Sequence, residues 1–113
     1  TGEPKEFRIT VEDFEYNGQP IVLSEWGGWG IKGFRPIVDR EVYVYGPSVA
    51  DECEFLTRYR GNIKAIRECE FLAGFCYTQL YDVEGELNGY MTYDRKWKVD
   101  PEQIAKIHKT IGF

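Results

Sequence analysis

Two short apolar runs, each followed by a long loop and then a helix, constrain this chain more than anything else. Ile21–Ser24 is apolar at successive positions, not alternate ones. That pattern suits a parallel strand covered on both faces. Leu72–Tyr77 reads the same way and ends in Thr78-Gln79. After Gly46-Pro47, Ser48 and Asp51 have the spacing of a helix cap and its third residue. Phe55, Leu56, Tyr59, Ile63 and Ile66 then repeat at three- and four-residue intervals, one apolar stripe of a helix. Gly61 interrupts this helix, where close packing on a sheet would explain it. Asp100 caps a second helix, Pro101 takes its first position and Gln103 completes a capping-box-like pattern. Ile104, Ile107 and Ile111 make its apolar face and Gly112 closes it.

The predicted order is therefore strand, loop, helix, strand, loop, helix: an α/β arrangement of two βα units. A right-handed crossover makes the strands parallel neighbours. Both long loops then leave the same edge, and Glu25 and Gln79 face each other across one mouth. Two such strands leave unpaired edges and an uncovered apolar face. Read this way, the chain is one segment of a larger α/β domain. Residues 1–19 form a polar lead-in, in which Thr10 and Asp13 have the spacing to start a short helix over Val11–Tyr16.

Composition narrows the partners. A formal charge of −5 argues against nucleic acid or an anionic membrane. No apolar stretch reaches the length of a membrane span. Cys53, Cys69 and Cys76 are odd in number and lack metal-ligand spacing, so they read as small buried or half-buried thiols. One histidine, His108, cannot build a zinc site, and the acidic residues lack calcium-loop spacing. No metal and no cofactor are expected. His108 near the end of the last helix reads as a favourable helix-end charge, and Trp97 as a packing residue.

Residues 26–47 contain five glycines and two prolines, and a loop that long inside a compact domain is usually functional. Within it, Glu41–Tyr45 alternates and reads as a short extended segment. Glu25 stands where the first strand gives way to this loop, in Ser24-Glu25-Trp26-Gly27-Gly28. Trp26 and Trp29 flank the glycines, where their flat faces can either meet a ligand or pack beneath the loop. Thr78 and Gln79 can hydrogen-bond a ligand or satisfy local backbone. Asp82, Asn88 and Arg95 read as a polar network that stabilises the second loop.

Gln19–Gly28, Ala73–Glu84, and Asn88-Gly89 followed by Thr92–Lys96 together resemble glycoside hydrolase family 2, the β-galactosidase and β-glucuronidase family. The resemblance covers roughly residues 16–108. It implies a partial (β/α)8 TIM barrel, with residues 20–71 as the strand-seven unit and 72–113 as the strand-eight unit. It also implies that Glu25 is the nucleophile of a retaining glycosidase, attacking the anomeric carbon while a second carboxyl group acts as acid and then base. Trp26, Trp29, Tyr77, Thr78 and Gln79 would line the sugar site; Tyr77 stands where many members have tryptophan. The family's acid/base follows an Asn upstream of the matching region. Glu12, Glu15 and Glu41 lack that context, so this chain alone is expected to be inactive. The partners the resemblance implies are a carbohydrate substrate and the remainder of the parent barrel; the exposed strand edges of the two-strand pattern separately point to a second copy of the chain. The competing reading is a carbohydrate-binding or interaction module without catalysis.

Overall fold

The computed structural model describes residues 11–37 and 39–112. The described residues form four elements: strand β1 (Ile21–Gly27), helix α1 (Glu52–Glu68), strand β2 (Leu72–Thr78) and helix α2 (Pro101–His108). β1 and β2 pair in parallel as a two-stranded sheet. The order and the parallel pairing match the sequence reading.

The partial (β/α)8 barrel does not. The structure is a small α+β domain of two parallel strands and two helices. A barrel wall needs each strand flanked on two sides and both sheet faces covered. Among the described residues each strand has one neighbour, and the helices cover one face. Leu23, Trp26, Phe75 and Tyr77 pack into the core with Phe55, Tyr59, Ile63, Ile104 and Ile107 from the helices. On the other face Val22 is 53% exposed, and Ser24, Glu25 and Cys76 are exposed as well. The unbroken apolarity of Ile21–Leu23 thus stands for half-burial, not for cover on both sides.

The periodic stripe of α1 is buried as a set. Its cap is Asp51, not Ser48: Asp51 Oδ1 accepts from Glu54 N–H at 2.9 Å, and the Glu54 carboxylate accepts from Ala50 N–H at 2.6 Å. A β-carbon on Gly61 would meet nothing within 4 Å, so close packing is not what places glycine there. Asp100 caps α2 by accepting from Glu102 N–H at 2.9 Å, and Pro101 opens the helix. α2 ends at His108 through a cap at Lys109, ahead of Gly112. Asp100 N–H donates to Glu52 Oε1 at 2.7 Å and so ties the starts of the two helices.

Several local expectations change. Val11–Tyr16 is not helical; Phe14 N–H bonds to Val11 O in a single turn. Thr10, its expected cap, lies outside the described residues. Of Glu41–Tyr45, only Tyr43 forms a β-bridge, to Glu86. Cys53 and Cys76 are exposed and Cys69 is half-buried. Trp97 is also exposed.

Candidate functional site

Parallel pairing puts the C-terminal ends of both strands on one edge, where Glu25 lies near the end of β1 and Gln79 directly follows β2. The ladder slips just before that edge. Leu23 pairs with Phe75 and Trp26 with Tyr77, so β1 has one more residue than β2 across this interval. Such an irregularity re-aims the side chains it contains. Leu23 and Trp26 both turn inward, and Ser24 and Glu25 between them face solvent.

The glycines after Glu25 turn the chain back over it. Gly27 and Gly28 have φ of 83° and 91°, a region that costs other residues strain. A β-carbon on Gly27 would sit 2.2 Å from the Tyr77 ring, and one on Gly28 2.3 Å from the Tyr45 ring. Tyr45 N–H donates to Gly28 O at 2.8 Å. This contact delivers Tyr45 to the strand end, where its hydroxyl donates to Glu25 Oε1 at 3.0 Å. The hydrogen bond to Glu25, and then the charge of that carboxylate, raise the Tyr45 pKa; Glu86 adds a smaller push in the same direction. Tyr43 packs edge-on to Tyr45, with ring centroids 5.3 Å apart.

From β2, Gln79 reaches the same edge. Its Nε2 donates to Asn88 Oδ1 at 2.8 Å and to Glu86 Oε2 at 3.3 Å. With both amide hydrogens engaged, Oε1 is the group that Gln79 can offer a ligand hydroxyl. Thr78, half-buried, pairs with Gly27 across the ladder.

The aromatic candidates lie deeper. Trp26 contacts Tyr59 and Tyr77, each with ring centroids 5.2 Å away, and Phe75 at 5.8 Å. Its Nε1 is buried without a hydrogen-bond partner. Trp29 packs on Phe55 at 5.9 Å, and the Arg58 guanidinium lies over its ring. Tyr77 is buried, stacks on Tyr90 at 4.3 Å and donates to Asn88 O at 3.4 Å. Burial raises its pKa. These three rings support the strand ends from beneath, while Glu25, Tyr45, Tyr43 and Gln79 form the surface above them.

The second loop is held by a network that includes a residue the sequence reading passed over. Asp82 Oδ1 accepts from Gly89 N–H at 2.9 Å and from Lys98 Nζ at 2.6 Å, and Lys98 Nζ also donates to Leu87 O at 3.0 Å. Both charged side chains are almost wholly buried. Burial lowers the Lys98 pKa, and Asp82 opposes that shift. Asn88 is fully buried with its Nδ2 unpartnered. Arg95 stands outside this network: its guanidinium lies 3.4 Å from the Tyr81 ring centroid, and it donates to Tyr93 O. The signal for Lys98 was its place between Trp97 and Val99, in a segment that must return to the core before α2.

His108 is not a helix-end charge. Its Nε2 lies 2.6 Å from Tyr59 Oη, which is 2.7 Å from Tyr90 Oη. Desolvation lowers the imidazole pKa, favouring the neutral ring. The Tyr59 pKa is pushed up to about 12, chiefly by burial. Among the described residues, no group of three or more His, Cys, Asp or Glu side chains is placed to hold a metal ion. No described helix is long and apolar enough to cross a membrane.

The chain matches no protein-family model and no curated protein.

Proposed function

We propose that this chain carries the nucleophilic half of a retaining, β-galactosidase-like glycosidase, with Glu25 as the attacking carboxylate. The observation that supports this reading most directly is the setting of Glu25. It is solvent-facing at the C-terminal end of a strand, with one oxygen fixed by the Tyr45 hydroxyl and Gln79 on the neighbouring strand end. A nucleophile needs an oriented oxygen and access to substrate, and this placement offers both. Glu25 attacks the anomeric carbon, the glycosidic oxygen departs with the bonding pair, and a glycosyl ester forms on the carboxylate. Water then cleaves the ester. Gln79 Oε1 and the Thr78 hydroxyl orient the sugar hydroxyls, and Trp26, Trp29 and Tyr77 hold the floor.

A retaining mechanism places its two carboxyl groups about 5–5.5 Å apart. The acid/base is assigned to a further polypeptide segment or partner chain, so this chain alone is inactive as a hydrolase. The exposed strand edges are where such a partner, or a second copy, can add.

The test bypasses the acid/base. A 2-deoxy-2-fluoro-β-galactoside with a dinitrophenolate leaving group departs without protonation, and its fluorine slows hydrolysis of the ester. Intact-mass and peptide mapping should find one fluoro-sugar on Glu25, and none on a Glu25→Gln variant that remains folded. An unlabelled wild-type chain that still binds the sugar would replace this reading with a non-catalytic carbohydrate-binding module.

A further inference from the structure

The two long loops do more than flank Glu25; they enclose an open groove beside it. Its walls are residues 39–43 of the first loop and 79–86 of the second, and its volume is about 680 Å³. That lies within the range of small-molecule sites. Backbone contacts fix the walls: Tyr43 N–H donates to Gly85 O at 2.8 Å, and Leu87 N–H donates to Tyr43 O at 3.2 Å. The loops meet so closely at Gly85 that a β-carbon there would lie 2.1 Å from Glu41 O. The groove is therefore formed before any ligand arrives.

It is continuous with the site already described. Tyr43 and Gln79 belong to both, and Tyr43 bridges through Tyr45 to Glu25. Tyr43 is 52% exposed, so much of its side chain is open to a ligand. The groove carries a surplus of negative charge. Among its described lining residues, Asp39, Glu41, Glu84 and Glu86 stand against a single cation, Arg40. That cation is already paired with Glu84 at 2.8 Å.

We infer that this groove is a second saccharide subsite, which takes the ring adjoining the one at Glu25, prefers an amino sugar and rejects a uronic acid. The inference rests on the glycosidase reading for what occupies the neighbouring position, but its own physics is independent of Glu25 chemistry. A saccharide ring offers an apolar C–H face to Tyr43 and hydroxyls to the Gln79 amide. A protonated amine gains from the surplus carboxylates, whereas a uronate meets them with the same sign and finds Arg40 occupied.

The test is a binding titration of the full chain, followed by backbone and side-chain amide NMR. The probes are a β-1,4-linked glucosamine trisaccharide, its N-acetylated form and a uronic acid trisaccharide, at mildly acidic pH. The amino sugar should perturb Tyr43, Gln79 and Glu86 and bind at least about tenfold tighter than the uronate at low salt. The gap should shrink at physiological ionic strength, where the Debye length is about 8 Å. It should also narrow in an Asp39→Asn/Glu86→Gln variant. Equal or tighter binding of the uronate, a gap untouched by that variant, or no perturbation of the groove by any probe would each overturn the inference. Repeating the titration on Glu25→Gln separates the two readings: groove binding that persists while the covalent label fails leaves this inference standing and removes the nucleophile.

Discussion

Lys98→Met offers the sharpest check on how the second loop is held. The Lys98 ammonium is enclosed by Asp82 Oδ1 at 2.6 Å and Leu87 O at 3.0 Å, with its side chain fully buried. Methionine keeps most of the apolar stem but removes the charge. Asp82 is then left in the interior with Gly89 N–H as its remaining donor, and Leu87 O loses its ammonium partner. Breaking a buried pair from one side costs about 3–5 kcal/mol, because it strands the other charge. With a urea dependence of about 2 kcal/mol per molar, the midpoint falls by about 2 M. Urea unfolding followed by tryptophan fluorescence reads this directly, since Trp26 and Trp29 pack within the core cluster. Adding Asp82→Leu to Lys98→Met should recover part of the loss by removing the stranded carboxylate, though Gly89 N–H then goes unpaired. A loss below about 1 kcal/mol, the range of exposed pairs, would refute the reasoning. So would a double variant no more stable than the single one.

Two further outcomes follow from particular positions. Gly61→Ala fills open space in the middle of α1, so it should stabilise by about 1 kcal/mol and raise the thermal midpoint by about 4 °C; an unchanged or lower midpoint in a circular-dichroism melt contradicts this. His108 has its folded pKa lowered from 6.5 by burial, so below that value the unfolded chain binds more protons. Its contribution is complete above pH 6.5 and is lost as pH falls through the lowered folded value. Urea midpoints measured stepwise across this window should fall with pH in the native chain and flatten in His108→Gln, and parallel slopes would discount His108.

What the sequence made legible was local. The three- and four-residue spacing of Phe55, Tyr59, Ile63 and Ile66 marks a buried helix face, and all four are buried. Asp100-Pro101 marks a helix start, and α2 begins there. What it hid was set by partners far along the chain. Lys98 reads as a surface residue until Asp82, 16 positions away, is brought against it. His108 reads as a helix-end cation until Tyr59 closes on it across 49 positions. The number of strands in a sheet is non-local too: two βα units read as a segment of a larger α/β domain and the family resemblance implied a barrel, where the described residues form a two-stranded sheet. For the candidate site, strand order places the end of β1, which carries Glu25, at the same sheet edge as the end of β2, which Gln79 follows. Tyr45 was missed because only the turn at Gly27 and Gly28 carries it back to the strand.

The parallel ladder has a consequence for how the chain acquires its structure. Ile21 pairs with Leu72, about fifty positions later, with the whole of α1 between them. A chain emerging from the ribosome therefore presents β1 long before its partner exists. α1 can form from local contacts in the meantime, but the sheet must wait for a large loop to close, which makes folding slower than for a helical bundle of this length. Throughout that interval β1 has both edges open, and the rate at which β2 is delivered, more than the final stability, governs how often newly made chains go astray.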